Sequence, residues 1–324
     1  MRRFLRRASQ YLLVAFLAAT LNFAIPRLMP GDPITLILGE DANRLRPEEV
    51  LQSLERFGLE KSIPEQYGRY LVGLVKGDLG YSYGHRRPVS SLLADRLPWT
   101  LLLVGTALVA STVLGVLWGT LAAWWRQRRL GNASLATAVA LESLPTFWTG
   151  LLLLIVFGAR LKWLPVFGAQ SLDRQPGTVA AVVDVAKHLV LPAAALTLAI
   201  IGQTFLVTRS ALAGVVRDDF VLLARAKGLR ERAVALRHAL PAASLPVVTA
   251  VFLRLGALSG GAVVVETVFS YPGVGRLLYE AAQGRDYPVM QGGFVVLSLT
   301  VIAANMVADL LYPRLDPRTA DAQP

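Results

Sequence analysis

Most apolar positions in this chain neither alternate nor recur as stripes. They run together. Long apolar stretches cover Gln10 to Leu28, Trp99 to Trp124, Leu135 to Phe157, Leu189 to Val207, Pro241 to Phe269 and Val289 to Leu311. Each is close to the roughly 20 residues that cross a bilayer as a helix. Pro145 interrupts the third, and the fifth is long and glycine-rich. The pattern predicts an all-α integral membrane protein with six transmembrane helices. An even number of crossings places both termini on one side. The only soluble-looking block lies between the first two runs, over residues 30–98. It predicts helices from Pro47 to Phe57 and from Pro64 to Val75, then the glycine-rich GDLGYSYGHRRPV (77–89). So small a block does not enclose a large core of its own.

One polar interval between apolar runs has helical character, from Arg209 to Pro246. Asp218 and Asp219 stand where a helix N-cap belongs, and Phe220, Leu223 and Ala224 follow at the spacing of one helical face. Gly228 comes after the last charged turn, where a left-handed residue without Cβ ends a helix. A second short helix is expected from Glu231 to Ala239, halted by Pro241. A short amphipathic helix, a glycine corner and a second helix suit insertion into a groove on a partner. They suit equally a helix lying on the membrane surface.

Charge adds the topology. Of 324 residues 54% are hydrophobic and only 17% charged, yet the net charge is +11. The loops 1–8, 125–134, 209–240 and 312–324 hold 16 Lys and Arg in 63 residues, whereas 30–98, 160–187 and 270–289 hold 15 in 117. The basic excess therefore marks the cytoplasmic side, with both termini inside and residues 30–98 outside, rather than a nucleic-acid surface. Arg2, Arg3, Arg6 and Arg7 precede a first run long enough to span and closed by no small-x-small site, so it reads as a retained helix over 1–29 rather than a cleaved signal.

Candidate chemistry is sparse. Without cysteine there is no disulfide, thiolate metal site or cysteine nucleophile. Gly80-Tyr81-Ser82-Tyr83-Gly84 fits the G-x-S-x-G elbow of hydrolases, but lacks the strand–turn–helix context that motif needs. A membrane serine hydrolase acting through Ser82 is the distant alternative. No P-loop and no H-E-x-x-H occurs, so neither nucleotide, cofactor nor metal binding is expected of this chain itself. Glu142, Arg254 and Asp309 fall within or at the edge of apolar runs, where ionisable groups face a bundle interior or a water-filled path. Asp309 is read as snorkelling from a helix end. Glu142, beside the Pro145 break, and Arg254 either line a translocation path or form a structural pair, with each other or with an acid on a partner.

The stretch Asp219-Phe220-Val221-Leu222-Leu223-Ala224-Arg225-Ala226-Lys227-Gly228-Leu229, closed by Leu240-Pro241, resembles the EAA loop of permease subunits in bacterial ATP-binding-cassette importers. In its D-F-V-x-x-A-R-A-K-G-L form it is similar to the dipeptide/oligopeptide/nickel branch. Further ordered matches are Arg27 to Pro33, Gly77-Asp78-Leu79-Gly80 with Ser82 and Pro88-Val89, Ser143 to Trp148 with Gly150, Glu266 to Phe269, Pro272-Gly273, Arg285 to Pro288, and Leu315 to Arg318. The retained first helix with an external domain resembles the B-type subunit. Arg254 departs from the glutamine expected there.

This resemblance implies a type I ABC importer transmembrane domain (MetI-like), with its core over 99–311, a coupling loop at 209–240 and a cytoplasmic tail at 312–324. It implies a pair with a C-type permease, two cytoplasmic ATPase subunits below, and an extracytoplasmic solute-binding protein delivering di- or oligopeptides. The alternative cargo is nickel or a metal–chelator complex. ATP hydrolysis would belong to the partners. Coupling to them would fall to Asp219, Phe220, Leu223, Ala224, Arg225, Lys227, Gly228, Leu240 and Pro241, and the path to Glu142, Pro145 and Arg254.

Overall fold

A computed structural model describes residues 2–28, 61–82, 84–124, 129–171 and 177–315. The helix expected at Pro47 to Phe57 and the tail beyond Leu315 lie outside them. In chain order the elements are α1 (Arg2–Leu28), α2 (Ile63–Lys76), the two-residue strands β1 (Tyr81–Ser82) and β2 (Arg87–Pro88), α3 (Val89–Trp124), α4 (Arg129–Ser143), and α5 (Thr146–Leu153), which continues as a π-helical run over Leu154–Arg160. Then come α6 (Val179–Val215), α7 (Asp219–Ala226), α8 (Glu231–Ala242), α9 (Ser244–Val268), α10 (Val274–Gln283) and α11 (Tyr287–Leu315). Among the described residues three helices are long and apolar enough to cross a membrane: Val89–Trp124, Val179–Val215 and Tyr287–Asp309. Two bent pairs qualify when each is taken together, and Ser9–Ala24 is a shorter apolar helix.

Three features depart from the apolar pattern. The helix carrying the second run starts at Val89, well before Trp99, and contains Pro98. Its polar first turns are held because Val89, Leu92 and Leu93 are buried. The third run is no straight span. Pro145 has φ −60° and ψ 133°, and α4 and α5 diverge by 100° across it. Proline keeps its predecessor out of the helical region and donates no N–H, so the chain turns there. Pro241, by contrast, does not halt α8. The preceding run Val234–Ala239 is π-helical, Pro241 sits at the start of the next turn where its missing N–H costs little, and the break comes at Ala243, with a bend of 58° into α9.

The chain divides into two compact units, Met1–Thr100 with Pro272–Ala303, and Leu101–Tyr271 with Ala304–Pro324. In the first, α2 stands against α1. The Phe23 ring lies 5.1 Å from that of Tyr67 and 5.4 Å from that of Tyr70, and the Thr20 and Tyr67 hydroxyls are 2.6 Å apart. Asn22 also reaches α11, donating to the Gln291 carbonyl at 2.7 Å. The core of this unit joins Val89, Leu92 and Leu93 to Val274, Leu277, Leu278, Ala281 and Val289. Its helix α10 was expected as loop. The spacing of Val274, Leu277, Leu278 and Ala281 is nevertheless that of a helical stripe, and Thr100 Oγ1 accepts from the first N–H of that helix at 2.8 Å.

The second unit is built on α6. Glycines bring its neighbours in: a Cβ on Gly115 or Gly119 of α3 would stand 2.7 Å from Thr204 Cβ or 2.8 Å from the Phe205 carbonyl oxygen, and one on Gly202 would stand 2.6 Å from the Ala138 carbonyl oxygen of α4. Trp118 and Phe205 pack with ring centroids 4.4 Å apart. Gly256 and Gly260 of the fifth apolar run have the same four-residue spacing, and their surroundings lie outside what is described.

Candidate functional site

The polar interval folds as a helix–corner–helix. Asp218 is the N-cap of α7, its carbonyl accepting from Val221 N at 2.9 Å and Leu222 N at 3.1 Å, although its carboxylate caps nothing. At the far end Gly228 has φ +77°. Gly228 N donates to the Arg225 carbonyl at 2.9 Å and Leu229 N to the Ala224 carbonyl at 3.4 Å. This pair of bonds is a Schellman motif, which returns two orphan carbonyls to use and requires the left-handed residue that glycine supplies.

Burial corrects the expected face. Phe220, Leu223 and Ala224 do not share one environment. Val221 and Ala224 are buried, in a cluster with Ala123, Leu212, Val234, Ala239 and Ala243, while Phe220 (42% exposed), Leu222 (51%) and Leu223 (55%) point away from it. A narrow stripe of small side chains is enough to seat α7, so its bulky side chains are left outward. Asp219, Lys227, Gly228 and Pro241 are exposed as well, and Leu240 packs partly against the same cluster.

Arg225 turns back across the corner. Its Nε donates to Glu231 Oε1 at 3.1 Å and its Nη2 to Glu231 Oε2 at 3.3 Å, while its guanidinium carbon lies 5.1 Å from the Trp124 ring centroid. Trp124 Nε1 donates to the same carboxylate at 2.7 Å. Neither Trp124 nor Glu231 was legible as a site residue, because no local spacing relates position 124 to position 231.

Of the intramembrane candidates, Arg254 and Glu142 approach the same stretch of α6. Arg254 of α9 is buried, and its Nη1 donates to the Ile200 carbonyl at 2.8 Å and to Thr204 Oγ1 at 3.1 Å, both on α6. The Cβ of Glu142 would be 3.2 Å from a Cβ placed on Gly202, which lies between Ile200 and Thr204, so α4, α6 and α9 converge here. Glu142 and Pro145 are exposed at the α4–α5 break.

The serine elbow is a structural turn. Ser82 is fully buried, it donates from Oγ to Asp286 Oδ2 at 2.5 Å, and it accepts from the backbone N–H of His85 at 3.0 Å. His85 Nδ1 stands beside this bond, 3.2 Å from Oγ and 3.8 Å from the carboxylate, rather than between the two as a relay base would. The surrounding backbone is a two-residue antiparallel hairpin, not a strand–turn–helix elbow.

Residues 115–321 match the family described as "Binding-protein-dependent transport system inner membrane component", and residues 1–104 match its N-terminal companion, "Binding-prot-dependent transport system membrane comp, N-term". The chain is 38% identical over 302 residues to the glutathione transport system permease protein GsiC of Escherichia coli strain K12, covering 93% of each. It is 38% identical over 333 residues to the di/tripeptide transport system permease protein DppB of Pseudomonas aeruginosa strain UCBPP-PA14, covering 97% of this chain and 98% of that one. In fold it is similar to a chain of the inward-facing MetNI methionine ABC transporter, with a TM-score of 0.56 at 18% identity, covering 69% of this chain and 96% of that one. With its apolar helices, its open α7 face and no catalytic relay at Ser82, the chain belongs to the binding-protein-dependent transport family, as a multi-pass inner-membrane permease subunit of an ABC importer.

Proposed function

We propose that this chain is the B-type permease of a peptide importer, forming half of the path with a C-type partner and driven through α7 by one of two cytoplasmic ATPases. The observation that carries the reading is the outward apolar face of α7. Phe220, Leu222 and Leu223 are exposed on a helix whose other side is anchored by fully buried Val221. A basic loop with bulky apolar residues held outward is the shape that seats in a groove. On this reading the ATPases close, α7 moves as a rigid body, and the bundle rocks between two accessible states without chemistry in this chain.

Peptide cargo, delivered by an extracytoplasmic solute-binding protein, is supported by the names of the relatives, glutathione and di/tripeptide permeases. Glu142 and Pro145 line the path at the α4–α5 break. Arg254, committed to Ile200 and Thr204 behind them, is the brace that positions α4 and α9 on α6.

The test is uptake of a labelled tripeptide into liposomes holding the complete complex with its ATPases and binding protein. Phe220→Asp with Leu223→Asp should abolish uptake and substrate-stimulated ATP hydrolysis, while Phe220→Leu retains both. Undiminished uptake in the double aspartate variant would refute docking through α7. Accumulation of a nickel chelate in place of the peptide would refute the cargo.

A further inference from the structure

We propose that Trp124, Arg225 and Glu231 form a strut that carries the motion of α7 into α3, so that the coupling helix drives three legs of the bundle rather than two. The inference rests on reading α7 as the ATPase-docking helix. Covalently, α7 is tied only to α6, through Val216 to Asp218, and to α8 and α9, through the Gly228 corner. Helix α3 has no chain connection to it. Yet Trp124, at the end of α3, donates to Glu231 Oε2 at 2.7 Å, just beyond the corner. Arg225, just before the corner, grips both oxygens of the same carboxylate and stacks on the same indole, 5.1 Å from its centroid. Each member therefore touches the other two, and the triangle spans three helices.

The layer beneath explains why a polar triangle is needed. Where α3 meets the helix–corner–helix, the buried cluster joins Ala123 of α3 to Val221, Ala224, Val234, Ala239 and Ala243. On the α3 side its buried member is a single alanine, which permits close approach but interlocks poorly and does not set the rotation or slide of α3 on the other helices. A forked guanidinium on a carboxylate, with an indole N–H on that carboxylate, fixes both direction and distance. The corner itself offers no packing, since a Cβ on Gly228 would meet no atom within 4 Å.

A purely stabilising role is a poor account. The Arg225 side chain is 34% exposed and that of Glu231 55%. Ion pairs so open to water contribute little to stability. What this one supplies is geometry.

Two mild variants test it in the reconstituted complex. Trp124→Phe keeps an aromatic face for the guanidinium and removes the N–H together with the pyrrole ring that carries it. Glu231→Gln keeps shape and one acceptor and releases the guanidinium fork. Both should retain ATPase co-purification and basal hydrolysis. Peptide taken up per ATP hydrolysed should fall at least about fivefold. The double variant should be no worse than the worse single one, because both break one triangle. Since the chain lacks cysteine, thiol spin labels placed at Leu121 and Ala226, both exposed, report the α3–α7 distance when the partners are also cysteine-free. That distance should hold on ATP binding in the parent and broaden in Glu231→Gln. A broadened distance with the lowered transport ratio supports the strut. An unchanged ratio and distance overturn it. Should Glu231→Gln impair assembly, Trp124→Phe decides alone. Phe220→Asp separates the two levels: if it uncouples transport while the triangle variants do not, only the strut fails. If none of them does, the docking reading fails with it.

Discussion

At Gly228 an added Cβ would meet no atom within 4 Å, yet the backbone φ of +77° still reserves the position for glycine. The left-handed region costs an L-residue about 1–2 kcal/mol, most for a β-branched side chain and least for asparagine. Gly228→Val should therefore displace α8 from α7, abolish uptake and remove substrate-stimulated hydrolysis, whereas Gly228→Asn should keep most of both. Equal activity in the two variants would show that the corner's conformation does not matter. At Arg254 the two hydrogen bonds to α6 are made by a buried charge, each of a kind that contributes about 1.5–3 kcal/mol. Arg254→Gln should lower the thermal midpoint of the purified complex and slow free-acid and amidated peptides by the same factor. A selective loss of free-acid uptake would instead make Arg254 a cargo ligand. Gly228 was legible because helix termination is local. The partners of Arg254 were not, because Ile200 and Thr204 lie on another helix, and no local pattern relates them to position 254.

Between elements, contact distance is set by glycine. Gly119 stands so close to the Phe205 carbonyl and Thr208 that a Cβ would be 2.8 Å from either. Gly119→Val should push α3 from α6 at a cost of about 1–3 kcal/mol, as overpacking does, and lower the unfolding temperature in detergent. Gly105→Ala, on the same helix with nothing within 4 Å, should leave it unchanged. A thermal midpoint insensitive to Gly119→Val would mean that the helices separate without loss. Two glycines four residues apart, as Gly115 and Gly119 are, permit a close approach without saying to which helix. The π-helical run Val234–Ala239 was invisible for a related reason: the hydrogen-bond register shifts without any change in the apolar pattern. The stripe of α10 was present in the sequence and masked by its shortness and by the surrounding polar residues.

Across the whole molecule the excess of Lys and Arg in alternate loops predicts the orientation of the chain. With six crossings, both termini cytoplasmic and residues 30–98 outside, reporter fusions at Glu49 and Arg225 should report opposite sides of the membrane. Signals from one side for both would require a different number of crossings.

Apolar run length, charge placement and the D-F-V-x-x-A-R-A-K-G-L stretch are properties of neighbouring residues. They were sufficient for the membrane class, the family and the position of the helix–corner–helix, because the bilayer reads hydrophobicity segment by segment and a helix end is written within a few residues. Which side of α7 turns inward was decided by what it met. The small face of Val221 and Ala224 fits against Ala123, Leu212, Val234, Ala239 and Ala243, and Phe220 and Leu223 are left out. The 100° turn at Pro145, the seat of Arg254 on α6, and the meeting of Trp124 with Arg225 and Glu231 likewise exist only in three dimensions. Their members are brought together by helix packing, and packing depends on shape across the bundle rather than on order along the chain.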